Sequence, residues 1–295
     1  MLGLNLSSQL LQLLISGLTM GSIYALTALA LVLTFNITGV LNLALGEFLA
    51  LGALLAASLY ASGLSLAVAF MISVAAVAVL AGLLERVAIK PAVKSSVLTL
   101  VVITVGISIS LRGLALLVWG TDPVSLPAFS GGGPLMAGGA AVNPQSLWIV
   151  GLLAAALAGL YAFFELTYAG KAVRACVINR TAARLVGINP SVMSLLAFIV
   201  SGALGAAAGI FITPVTLATY DMGFLLGVKG FVAAVIGGMQ SVAGAVLGGL
   251  LLGLLEAYGA GLVSSGLKDA MALVVLLAVL LLRPEGLFSA AVRKI

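Results

Sequence analysis

The chain has 295 residues, of which 63% are hydrophobic and 7% charged, with a net charge of +5. A soluble domain carries about 25% charged residues, so this charge cannot cover a water-facing surface of normal size, and the class is integral membrane protein. A single cysteine, Cys176, excludes an internal disulfide, and the absence of histidine excludes histidine metal sites and histidine general bases.

Transmembrane barrel strands alternate polar and apolar residues. This chain instead has long unalternating runs such as SLAVAFMISVAAVAVLAGLL at residues 65–84. The expected fold is an all-α polytopic transmembrane helical bundle, forming a single transmembrane domain over residues 1–295. The N-terminus, MLGLNLSSQL, lacks the basic region of a cleaved signal peptide, so the first apolar run is read as a retained span.

A helix of about 20 residues crosses the hydrocarbon layer. On that ruler residues 10–34 are a span. Residues 35–46 are a break rich in Asn, Thr and Gly, and 47–60 a short apolar segment. Residues 64–84 are a span, 85–96 are charged, and 97–118 are a span containing Arg112. Residues 119–145 form a loop rich in Gly and Pro, followed by a span at 146–169 and a basic stretch at 171–190. Residues 191–212 are a span and 213–224 a loop. Two apolar segments follow, 225–238 and 242–258, joined by a small polar step. After a turn at 259–266, the last span covers 267–282 and is ended by Arg283 and Pro284. The total is eight or nine crossings, because the two short glycine-rich segments are either crossings or re-entrant pieces shielded by protein or a cavity.

Basic residues set the orientation. Arg86, Lys90 and Lys94 mark one loop, Lys171, Arg174, Arg180 and Arg184 a second, and Arg283, Arg293 and Lys294 the tail, whereas the 119–145 loop has no Lys or Arg. The positive-inside rule makes the first three cytoplasmic and the last external, with the C-terminus inside, and the N-terminus outside if there are nine crossings. Basic residues near span ends, unmixed with aromatics on a polar scaffold, give no reason to expect nucleic acid as a partner. No phosphate-binding loop of the Gly-x-x-x-x-Gly-Lys-Ser/Thr type occurs, and no metal-ligand spacing, so no cofactor is expected and ATP, if used, binds another chain.

Asn36, Thr38, Asn42, Gly46 and Glu47 cluster at the first break. A carboxylate in lipid faces a bundle interior or a path. Glu47 also suits the N-terminus of the next helix, a compatible role. Gly237, Gly238 and Gly248 surround the corresponding break in the second half. Paired broken segments point to an internal repeat around a central substrate path, while small residues also serve close helix packing. The other charges read as ends. Arg112 snorkels outward or meets a subunit, Lys229 and Asp221 form an interfacial pair, and Glu165 pairs with Lys171 at the inner surface. Glu256, Lys268 and Asp269 face water, and Trp119, Trp148, Tyr168 and Tyr258 belong to an interfacial belt.

Residues 171–186 are expected to form one basic helix outside the lipid, with Lys171 and Arg174, and Arg180 and Arg184, sharing faces. Ala172, Ala175, Ala182 and Ala183 let another surface approach. Gly187 ends the helix in a left-handed cap and Pro190 forbids continuation. This segment is either a docking knob for a partner or a topological anchor.

The order Thr181-Ala182-Ala183, three residues, Gly187 resembles the Glu-Ala-Ala-x-x-x-Gly signature of bacterial ABC importer permeases, with threonine in place of glutamate. GSIYALTALALVLTFNITGVLNLALGEFLALGA at 21–53 and GFVAAVIGGMQSVAGAVLGGLLLGLLEA at 230–257 resemble the N- and C-terminal signatures of the branched-chain amino acid permease family. Arg283-Pro284-Glu285-Gly286-Leu287-Phe288 is similar to its tail, and the smaller of the two permeases in that transporter is the better likeness. One departure is Leu45, where the family usually has histidine.

The resemblance implies a bacterial inner-membrane subunit of an importer for branched-chain amino acids, itself non-catalytic and working by ATP-driven alternating access. The implied partners are a second homologous permease or a second copy, two ATP-binding subunits, and a periplasmic or lipid-anchored binding protein. It makes Lys171, Arg174, Arg180, Thr181, Ala182, Ala183, Arg184 and Gly187 the coupling surface for the ATPase. The expected path is Asn36, Thr38, Asn42, Gly46, Glu47, Gly237, Gly238 and Gly248. A stand-alone ion-coupled transporter or channel for amino acids, urea or amides is the alternative.

Overall fold

A computed structural model of the chain describes residues 6–288 except 94, 132, 138, 263, 265 and 267. Lys94, Arg293 and Lys294 therefore lie outside the described residues. The helices follow the apolar runs: α1 (Leu6–Thr38), α2 (Leu45–Ala61), α3 (Leu66–Leu84), α4 (Val97–Trp119), α5 (Pro144–Leu166), α6 (Tyr168–Ile178), α7 (Arg180–Leu185), α8 (Pro190–Thr216), α9 (Met222–Gly237), α10 (Val242–Leu262) and α11 (Lys268–Leu282). Six of the described helices are long and apolar enough to cross a membrane, namely α1, α3, α4, α5, α8 and α10. Residues 45–61, 222–237 and 269–282 form shorter apolar helices. The protein is an all-α polytopic membrane bundle.

The boundaries correct the sequence reading in four places. α1 runs through Asn36 to Thr38, so the break is residues 39–44. α8 extends to Thr216 with Pro214 inside it, in what was expected to be loop. The 119–145 loop contains a hairpin, β1 (Leu135–Ala137) paired antiparallel with β2 (Ala140–Val142). The basic segment is two helices, because Asn179 adopts an extended conformation (φ −155°, ψ 104°) between α6 and α7.

The chain divides into two compact units. The first takes the described parts of Met1–Leu29, Pro127–Leu153 and Lys229–Ile295, and the second Ala30–Leu126 and Ala154–Val228. In the second unit α8 packs against both α2 and α3. Lipid offers no hydrophobic drive for helices to associate, so close van der Waals approach has to supply it. A Cβ on Gly209 would lie 2.0 Å from the Leu49 carbonyl oxygen, and one on Gly52 would lie 2.5 Å from Ala206 Cα. The Phe70 and Phe211 rings meet edge to face at 5.8 Å between α3 and α8. At one end of the unit Val40, Ile89, Leu100 and Phe198 form a buried cluster. α3 closes with a π-turn, Glu85–Ile89, in which the Lys90 amide donates to the Glu85 carbonyl (2.7 Å).

In the first unit α10 packs on α11 and, through Gly249 and Gly253, on Ala25 and Gly21 of α1. The α9–α10 turn is equally tight. A Cβ on Gly237 would sit 2.0 Å from the Gly244 oxygen, and one on Gly248 would sit 2.2 Å from the Ala233 oxygen. Gly238 holds φ +109° at the turn, a conformation that glycine adopts without strain.

Candidate functional site

In the second unit the 39–44 break lies beside the middle turns of α4, not beyond its end. The Thr104 hydroxyl donates to the Leu41 carbonyl (3.1 Å), and Thr104 is the eighth residue of the 23-residue α4. Non-helical backbone at such a depth must be shielded by protein or face a cavity. Asn42 organises the break: its Oδ1 accepts from the Ala44 amide (3.2 Å). Its Nδ2 is buried without a hydrogen-bond partner among the described residues. The Thr38 hydroxyl bonds back to the Thr34 carbonyl (2.6 Å) and accepts from the Val40 amide (3.0 Å), closing the end of α1.

Glu47 stands in the first turn of α2, where an acid is favoured, yet its side chain does not cap the helix. Its carboxylate is buried and accepts from Ser108 (2.8 Å) and from Arg112 Nη2 (2.8 Å) and Nε (3.3 Å), both residues on α4. The guanidinium also lies over the Phe224 ring, 4.5 Å from its centroid. Arg112 is thus the internal counter-ion of Glu47, correcting the expectation that it snorkels. A buried carboxylate in lipid needs such a partner because desolvation penalises an unpaired charge heavily. Gly46 lets the start of α2 touch the start of α9, since a Cβ there would be 2.1 Å from the Gly223 oxygen.

The first unit repeats the chemistry with other residues. Glu256 of α10 is 1% exposed, and its Oε2 accepts from Tyr24 (2.8 Å) and from Lys229 Nζ (3.1 Å), while the ammonium lies 3.0 Å from its Oε1 as an ion pair. Lys229 also reaches Asp269 (2.8 Å) and lies 5.5 Å from the Tyr24 ring centroid. Lys229 therefore pairs with Glu256 and Asp269 and not with Asp221, and Glu256 is a buried group and not a water-facing end. In both units a buried carboxylate is held by one hydroxyl and one cation, and the cation leans on an aromatic ring.

The basic segment begins where Thr167 caps α6, accepting from the Gly170 amide (3.0 Å). Arg174 pairs with Glu165, taking the place expected of Lys171. The Asn179 side chain accepts from the Thr181 and Ala182 amides (both 3.0 Å) and so starts α7. At its other end Gly187 has φ +85°, and the amides of Gly187 and Ile188 close on Arg184 (3.1 Å) and Ala183 (3.0 Å), the expected left-handed cap.

Lys171, Arg174, Thr181, Ala182, Arg184 and Gly187 are exposed, whereas Ala183 is buried. Arg180 is turned inward, its Nη2 donating to the Ile37 carbonyl at the end of α1. Around the exposed basic groups stand three large apolar side chains, Ile178 (85% exposed), Leu185 (85%) and Val186 (75%). Cys176 is buried on the inner side of α6. Burial pushes its thiol up from the ordinary range, while Arg180 and Arg184 pull it partly back.

Sequence reading placed Glu47 and the exposed basic groups. It missed the partners Arg112, Ser108, Tyr24 and Glu256 as members of buried clusters. The available signal was a cation and an acid each inside an apolar run; which of them pair is decided by helix packing, which no local pattern reveals.

The family described as "Branched-chain amino acid transport system / permease component" matches residues 13–282. The chain is 33% identical over 293 residues to the high-affinity branched-chain amino acid transport system permease protein BraD of Pseudomonas aeruginosa, covering 95% of each chain. It is 32% identical over 296 residues to the corresponding permease protein LivH of Escherichia coli, again covering 95% of each. Among solved structures, PsaBC from Streptococcus pneumoniae in complex with Fab aligns over 92% of this chain and 91% of that one, at 15% identity and a TM-score of 0.48.

Proposed function

Because the chain belongs to the branched-chain amino acid transport system permease family, we propose that it is the translocating membrane subunit of an ABC importer for branched-chain amino acids. It works in the bacterial inner membrane by ATP-driven alternating access, and ATP is hydrolysed on separate partner subunits. The observation that carries this reading is the exposed surface of α6 and α7. Ile178, Leu185 and Val186 stand out beside Lys171, Arg174 and Arg184, outside the membrane-crossing helices. Large apolar groups ringed by cations on an exposed element are what a protein partner covers.

The assembly pairs this permease with a homologous permease or a second copy of itself, with two ATP-binding subunits, and with a binding protein on the outer side. Nine crossings put the C-terminus in the cytoplasm and the N-terminus outside. The break at 39–44, with the orphaned Asn42 amide and the buried Glu47, is the polar section of the path, and the Gly237–Gly248 region is its counterpart. A broken helix exposes backbone groups suited to the carboxylate and ammonium of an amino acid.

The test is copurification of the chain with its ATP-binding subunits, followed by uptake in proteoliposomes containing the binding protein. Leucine, isoleucine and valine are expected to compete, and Leu185→Asp with Val186→Asp is expected to release the ATP-binding subunits. Uptake by the chain alone, driven by an ion gradient, would overturn the reading in favour of a stand-alone transporter.

A further inference from the structure

Beneath α7, within the second unit, lies a cavity of about 90 Å³ that the coupling reading does not use. Its lining includes Glu85, Lys90, Arg180, Arg184 and Ser194. Glu85 is 2% exposed and sits at the π-turn that ends α3, a helix irregularity frequent at functional sites. Its Oε1 accepts from the Ser194 hydroxyl (2.7 Å), and its Oε2 is buried with no hydrogen-bond partner among the described residues. Among the described residues Glu85 makes no ion pair, although three cationic side chains line the same cavity. A buried carboxylate left half-satisfied is heavily penalised by desolvation, which is out of keeping with an optimised resting contact. Three cations on the walls make a bound metal or ammonium ion a poor occupant, so the counter-charge comes from the chain itself.

Of those cations Arg180 is the most enclosed, and it already bonds an uncharged partner, the Ile37 carbonyl. It is also the first residue of α7, directly after the extended Asn179 that separates α7 from α6. We propose that Glu85 is the second seat of the Arg180 guanidinium: when a partner presses on the exposed face of α7, the cavity closes and Arg180 leaves Ile37 for Glu85. This rests on the importer reading. It makes Glu85 a positioning residue that joins the coupling segment to the inner end of α3 and, through Ser194, to α8. The free room, the orphaned oxygen and the hinge at Asn179 are the three parts that a two-position latch requires.

The experiment uses the full complex in proteoliposomes and reads substrate uptake per ATP hydrolysed for wild type, Glu85→Gln, Arg180→Gln and the double variant. Each single variant is expected to lose about tenfold in that ratio with copurification of the ATP-binding subunits unchanged. The double variant should be no worse than either single, because both remove one shared contact. If Glu85→Gln does not assemble, Glu85→Asp replaces it, keeping the charge but giving up the bridge.

A second measurement places cysteines at 85 and 180 in a Cys176→Ser background and joins them with a short thiol-reactive linker. Bridging is expected in the vanadate-trapped complex and not in the nucleotide-free one. A wild-type complex without ATP-dependent uptake removes the importer reading and the latch together. A working wild type in which the single losses multiply, or Glu85→Gln is unchanged, or bridging is equal in both states, removes the latch alone.

Discussion

At the scale of single residues, the charges inside the apolar helices are explained by their partners. Glu47 has Arg112 and Ser108, and Glu256 has Lys229 and Tyr24. Removing one member of such a pair is worse than removing both, because the survivor remains buried without compensation. Arg112→Met should therefore destabilise the protein by about 3 kcal/mol, read as a lower melting temperature in detergent. Arg112→Met combined with Glu47→Gln should recover most of that loss, since the double change leaves no charge behind. Cys176 makes a separate prediction. Its thiol is buried and its pKa is raised above the ordinary range by that burial, so less of it is thiolate at neutral pH. Alkylation should be slow near pH 7 and accelerate only as pH climbs past the usual thiol range. Arg184→Gln, which removes a charge that lowers this pKa, should slow labelling further at every pH below that range.

At the scale of elements, short polar residues decide where helices stop. Asn179 ends α6 and starts α7 by accepting two amides, and the extended backbone it adopts divides what composition alone reads as one helix. Asn179→Ala should cost about 1 kcal/mol locally, seen as faster hydrogen exchange at the Thr181 and Ala182 amides. Gly209→Ala tests the opposite constraint. Its new Cβ would meet the Leu49 carbonyl at 2.0 Å, with backbone and not a flexible side chain in the way. It should cost about 2–3 kcal/mol by forcing α2 and α8 apart, measured by thermal unfolding.

The same elements show what the sequence made legible. Apolar length located the spans, and the Asn- and Gly-rich interruption before Glu47 located the break to within a few residues. Gly187 and Pro190 announced the end of α7 because their backbone limits are local properties. The Asn179 hinge was hidden by the continuous small-and-basic pattern on both sides of it. The depth of the break was hidden too, since it depends on Thr104, 63 residues away, reaching the Leu41 carbonyl.

At the scale of the whole molecule, the chain separates into two compact units, each of which holds, among the described residues, a buried acid–cation pair with an aromatic ring beside the cation. Glu47 stands in the first turn of the short helix α2, and Glu256 in the second half of α10. Parity and charge together predict an orientation. Between the β1–β2 hairpin and the α6–α7 segment lies one long apolar helix, α5, and the importer reading makes it a single crossing. The hairpin region carries no Lys or Arg and the α6–α7 segment carries Lys171, Arg174, Arg180 and Arg184, so the importer reading predicts the first outside and the second in the cytoplasm. In a Cys176→Ser background, a cysteine at the exposed Met136 should react with an impermeant maleimide in intact cells. A cysteine at the exposed Val186 should react only after the membrane is opened. If Val186→Cys labels in intact cells, the α6–α7 surface cannot meet a cytoplasmic ATPase, and both the coupling role and the Arg180–Glu85 latch would have to be abandoned.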